Sequence, residues 1–118
     1  MHPHTITLNS HDLHEKSLGL RFAIPQLGQF ATGFVVRYQG KAHAYVNQCA
    51  HVPIELDWKQ GEFFTLAKDY IICATHGANY TPDTGHCVMG PCKGKSLQAI
   101  PVTEQNQQIT IHIDKCHK

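Results

Sequence analysis

Cys49-Ala50-His51 and Cys73-Ala74-Thr75-His76 are the two stretches on which the reading of this chain turns. Each sets one thiol beside one imidazole, and both occur in one chain of 118 residues. Four such side chains brought together make a metal centre. A tetrahedral zinc ion accepts two thiolates and two imidazoles, but finger-type spacings put both cysteines on one arm and both histidines on the other. Here each arm is mixed, an order that favours an iron-sulfur centre with divided ligation over zinc.

Downstream of the second pair come His76-Gly77-Ala78-Asn79-Tyr80, then Asp83-Thr84-Gly85, Gly90-Pro91 and Leu97. Any one of these glycines or prolines alone reads as an ordinary turn. Joined to the ligand pairs over residues 49–97, they resemble the Rieske family: histidine, glycine, an aromatic after a short gap, an aspartate-x-glycine turn and a proline-bearing loop. The resemblance implies one 2Fe-2S cluster per chain, with Cys49 and Cys73 on one iron and His51 and His76 on the other. It implies that Gly77 lets backbone amides approach the bridging sulfides, and that Gly90-Pro91 covers the cluster's other side. It also implies that the outer edges of the two histidine rings are exposed and form the electron exit.

Charge counting gives the consequence of that ligation. Four thiolates leave an oxidised 2Fe-2S centre near −2, whereas two thiolates and two neutral imidazoles leave it roughly neutral. An added electron therefore costs less, and burial in low dielectric widens the gap. Histidine-ligated centres reach roughly −150 to +300 mV, against about −400 mV for plant-type ferredoxins.

The chain departs from the high-potential members in ways that place it within the family. Those members resemble Cys-Thr-His-Leu-Gly-Cys and Cys-Pro-Cys-His-Gly-Ser, with a disulfide between the extra cysteines. This chain has Val52-Pro53-Ile54 after the first pair and Ala74-Thr75 inside the second, so that bridge cannot form. The serine that donates to a sulfide is Ala78 here, while the tyrosine two places later is kept as Tyr80. Hydrogen bonds to cluster sulfur raise the potential. The expected value lies below the respiratory type and above members that carry phenylalanine in place of Tyr80. The insert between the pairs, residues 52–72, is long for a small ferredoxin, and its Trp58, Phe63 and Phe64 read as packing residues rather than a docking surface.

Size and charge exclude other classes. The chain is 42% apolar with a formal charge of +1, which suits one domain over residues 1–118 with a modest core. It has no basic run to favour nucleic acid or an anionic membrane, no run of eighteen apolar residues, and no basic-then-apolar start. A cytoplasmic protein is the expectation. By size and pattern, neither a membrane-tethered respiratory subunit nor an oxygenase catalytic subunit with its own mononuclear iron domain is the expectation. What remains is a Rieske-type ferredoxin, a one-electron carrier between a flavin reductase and a terminal oxygenase, with no acid-base pair or nucleophile of its own. Two alternatives stay open: a small subunit working with the large subunit of a nitrite-reductase-like oxidoreductase, and a non-redox interaction module built on zinc or a structural cluster.

The strand periodicities predict an all-β Rieske fold. Leu18, Leu20, Phe22 and Ile24 alternate, as do Ala42, Ala44 and Val46, and Ile109, Ile111 and Ile113. Phe34-Val35-Val36-Arg37-Tyr38 runs through Gln39-Gly40 into a hairpin, and residues 102–109 read as a polar turn. The expected architecture is an antiparallel β-sandwich base made from both chain ends, with a cluster-binding subdomain at about 47–95 inserted between strands. Residues 1–12 read as an arm or short strand. Cys87 and Cys92 read as reduced, small buried residues, Cys116 as exposed, and His2, His4, His11 and His14 as solvated.

Overall fold

The computed structural model describes residues 5–50, 54–57, 59–65, 67–75, 77–90, 92 and 94–115. Among these residues ten strands form three antiparallel sheets. The first sheet joins the two ends of the chain. Its order is β1 (Ile6–Asn9), β10 (Gln108–Ile111) and β9 (Val102–Gln105), with Ile6 opposite Ile111. The second is the scaffold, in the order β2 (Leu20–Ala23), β3 (Thr32–Tyr38), β4 (Lys41–Val46) and β8 (Ala99–Ile100). The third and smallest comprises β5 (Ile71–Ile72), β6 (Asn79–Tyr80) and β7 (Cys87–Met89), and falls in sequence between β4 and β8.

Alternation along β3 and β4 explains how one sheet supports two cores. Val35, Ala44 and Val46 join Phe22, Ile24, Ile109, Ile111 and Ile113 in the core shared with the terminal sheet. Their neighbours Phe34, Val36 and Tyr45 belong to the other core, with Ile71, Tyr80, Cys73 and Cys87. Buried on both faces, β3 reads as a continuous apolar run, as such strands do. The hairpin turn between β3 and β4 has Gln39 and Gly40 at φ 53° and 80°, the geometry that matches strand twist.

Two expectations are refined. The stretch read as a polar turn is itself a hairpin: Val102–Gln105 is a strand, and only Asn106 and Gln107 turn, at φ 53° and 62°. Its polarity deceived because β9 is a mostly exposed strand. Leu18 does not extend the β2 alternation and is one of the exposed large apolar side chains, whereas Ile24, just past the strand, is fully buried.

The insert is welded to the scaffold. Phe63 is fully buried and stacks on Phe34 with ring centroids 3.9 Å apart and 12° between planes. Phe64 bridges to Ile71, the Ile72 amide donates to the Phe63 carbonyl, and the Gly19 amide donates to that of Gly61. The two phenylalanines therefore pack, as their sequence suggested; Trp58 lies outside the described residues. Among the described residues no helix is long and apolar enough to cross a membrane.

Candidate metal centre

Each cysteine of the two motifs stands just past a strand. Cys49 follows β4, and its amide donates to the Ile54 carbonyl at 2.8 Å, closing the first loop. Cys73 follows β5; its amide donates to the Ala78 carbonyl at 2.9 Å, and its carbonyl accepts from Gly77 at 2.8 Å. The Ala74 amide donates to Leu56 at 2.9 Å, which ties the second loop to the segment behind the first. Both cysteine side chains are buried in the same core. The predicted ligands His51 and His76, and Pro91 of the cover loop, lie outside the described residues.

Tyr80, at the centre of the third sheet, reaches back to the first loop. Its hydroxyl is 3.3 Å from Cys49 Sγ, accepts from the Ala50 amide at 3.0 Å, and accepts from Cys92 Sγ at 3.1 Å. Burial, with the hydrogen bonds to Cys49 and Cys92 behind it, pushes the hydroxyl well above the ordinary phenol range, so it remains a proton donor. Cys87, buried beside Cys92, donates its thiol to the Met89 carbonyl at 3.3 Å, and burial followed by the contact with Cys92 pushes it up to about 11. A thiol so held is a weak nucleophile. Cys87 and Cys92 are thus buried and free, as their sequence setting implied.

Two glycines shape the second loop and its cover. Gly77 has φ 73°, and a Cβ there would meet nothing within 4 Å, so the loop presents bare backbone to open space. Gly90 has φ 98°, and a Cβ there would come within 2.8 Å of Ala78 Cα. The cover loop thus lies directly on the second ligand loop, and Ala78, fully buried beneath it, is a contact surface.

Sequence reasoning missed the polar clamp under the first loop. Asn47 and Asp57 are the buried polar side chains of the described residues. Asn47 Nδ2 donates to Asp57 Oδ1 at 3.1 Å, Asn47 Oδ1 accepts from the Leu56 amide at 2.9 Å, and Asp57 Oδ2 accepts from the Gly61 amide at 2.9 Å. Arg21 lies 3.6 Å from Asp57 Oδ2 and 2.6 Å from Glu55 Oε2, which also accepts from Thr32 Oγ1. In sequence Asn47 stands two residues ahead of Cys49 and Asp57 next to an apolar residue in the insert, and nothing separates either from solvated loop residues.

The donor chemistry fits a 2Fe-2S group. Two buried sulfurs come from loops hydrogen-bonded to a common segment, a hydroxyl is directed at one of them, and the second loop leaves open space beside Gly77, where a side chain would otherwise stand. The sequence profile of the Rieske [2Fe-2S] domain matches residues 8–110. A comparison with curated proteins gives no match. Among solved structures, the ferredoxin of carbazole 1,9a-dioxygenase from Nocardioides aromaticivorans IC177 is 21% identical at a TM-score of 0.67, over 89% of this chain and 92% of that one. A chain in the complex of reduced oxygenase and oxidised ferredoxin in carbazole 1,9a-dioxygenase is 20% identical at a TM-score of 0.75, over 98% of both chains. The terminal oxygenase of carbazole 1,9a-dioxygenase from Novosphingobium sp. KA1 is 22% identical at a TM-score of 0.72, over 97% of this chain but 31% of that one. At these identities the likeness is one of fold.

Proposed function

The chain belongs to the Rieske [2Fe-2S] domain family, and from that premise we propose that it is a Rieske-type ferredoxin that carries single electrons to a terminal oxygenase. The family's group is a 2Fe-2S cluster, which supplies one reversible electron-accepting site. Cys49 and Cys73 would hold one iron, His51 and His76 the other. The observation that carries the reading is the Tyr80 hydroxyl placed 3.3 Å from Cys49 Sγ, a donor aimed where negative charge grows on reduction.

The remaining residues serve that transfer. The clamp of Asn47, Asp57 and Arg21 fixes the first loop, so little reorganisation accompanies the change of charge. Gly90 seats the cover loop on Ala78 and keeps water from the sulfurs. The protein takes an electron from a flavin reductase, docks through the tip formed by the two ligand loops, and releases it to the acceptor. The carrier reading is supported by the likeness in fold to the ferredoxin of carbazole 1,9a-dioxygenase, matched over 92% of that chain. The same size also suits a subunit of a nitrite-reductase-like oxidoreductase; a stable complex with a sirohaem or flavin protein marks that case.

The test is a redox titration of the iron-loaded protein across pH, followed by mixing the reduced form with oxidised terminal oxygenase. One electron per chain is taken up reversibly, with a potential that falls at alkaline pH as the histidine ligands lose their second ring proton. Transfer to the oxygenase follows. A potential flat into strongly alkaline pH contradicts histidine ligation, and a colourless zinc protein overturns the carrier.

A further inference from the structure

We propose that Cys92 is a positioning residue for electron transfer: by donating its thiol proton to the Tyr80 hydroxyl, it commits that hydroxyl's own proton to the Cys49 sulfur. The inference rests on the reading of Cys49 as a cluster ligand. A phenol has one proton to give and lone pairs with which to accept. Among the described residues, three polar atoms bond to Tyr80 Oη: the Ala50 amide at 3.0 Å, Cys92 Sγ at 3.1 Å and Cys49 Sγ at 3.3 Å. An amide can only donate, and Cys92 Sγ also donates. The single hydroxyl proton is left for Cys49, which as a ligand thiolate has no proton of its own and can only accept.

The result is a directed chain from Cys92 through Tyr80 to Cys49, in which each donor polarises the next and strengthens the last bond. The thiol is held for this role. The Lys95 amide donates to the Cys92 carbonyl at 2.8 Å, and the Cys87 amide donates to the Lys95 carbonyl at 2.8 Å, so the turn carrying Cys92 is fastened to β7. Cys92 itself is 1% exposed, so water does not compete for Tyr80 from that side. The added electron is therefore stabilised by Cys92 through the Tyr80 hydroxyl.

A double-mutant cycle on the midpoint potential separates this from packing. Wild type, Cys92→Ala, Tyr80→Phe and the double variant are reconstituted and titrated under the same conditions. Cys92→Ala shifts the potential downward by less than Tyr80→Phe does, and has no effect in the Tyr80→Phe background. Cys92→Ser, which restores a donor, recovers potential. If Cys92→Ala fails to assemble, Cys92→Ser against Cys92→Val gives the same comparison, with only the apolar variant shifted downward. An unshifted or raised potential in Cys92→Ala, or an equal shift in both backgrounds, overturns the positioning role. A wild-type protein with no Rieske signal overturns the ligand reading and this inference with it, whereas a wild-type signal without coupling overturns this inference alone.

Discussion

Tyr80 is the residue at which structure and redox chemistry meet most closely. Removing its hydroxyl leaves the ring in place and deletes one bond to the Cys49 sulfur. With a net bond of about 1 kcal/mol in favour of the reduced state, Tyr80→Phe lowers the potential by roughly 40 mV for one electron. Direct electrochemistry on the two proteins measures the difference, and equal potentials contradict the assigned bond. Gly90 acts through geometry alone. Gly90→Ala puts a side chain at φ 98° and drives a Cβ to within 2.8 Å of Ala78 Cα, so the cover loop must lift. A loss of about 2 kcal/mol or more is expected by denaturant unfolding, together with faster bleaching of the reconstituted cluster.

Among the elements, the first ligand loop owes its shape to polar residues that no periodicity reveals. Asp57 accepts from Asn47 and Gly61 and faces Arg21, with its side chain fully buried. Asp57→Ala leaves buried donors without an acceptor and costs about 3 kcal/mol, measured as the shift in urea midpoint times its slope. An unchanged midpoint contradicts the clamp. The strands were legible where apolar residues alternate: Ala44, Val46, Ile109 and Ile111 all fall on the buried face expected of them. They were hidden in β9, whose exposed polar residues resemble a turn until its pairing with β10 is seen. The two motif cysteines, whose setting in sequence suggested a shared site, lie buried in one core. The clamp was not legible, since a buried Asn or Asp differs from a solvated one only by its partners, and those come from β2 and the insert.

At the scale of the whole molecule, the sheets are fastened by charge as well as by the two cores. Arg37 on β3 donates through Nε to the Leu13 carbonyl at 2.9 Å and pairs with Glu104 on β9 at 2.7 Å. The Arg37 hydrogen bond holds the Glu104 carboxyl below its ordinary value of 4.5. Burial holds His43 on β4 below its ordinary 6.5, against the opposing pull of Asp83. Both folded values are depressed, so both contributions are complete above the unfolded values and vanish as pH falls through the folded ones. Stability is expected to decline in two ranges, below about 6.5 and again below about 4.5. His43→Gln flattens the upper range and Glu104→Gln the lower, as read from urea midpoints against pH. A fall in stability as pH rises through these ranges contradicts the assignment. Electron paramagnetic resonance of the reduced protein tests divided ligation by the two mixed motifs most directly. Wild type should give the low-field-shifted Rieske signal, with His76→Cys losing it or moving toward the all-cysteine type; an all-cysteine signal in wild type, or a wild-type Rieske signal unchanged in His76→Cys, would contradict it.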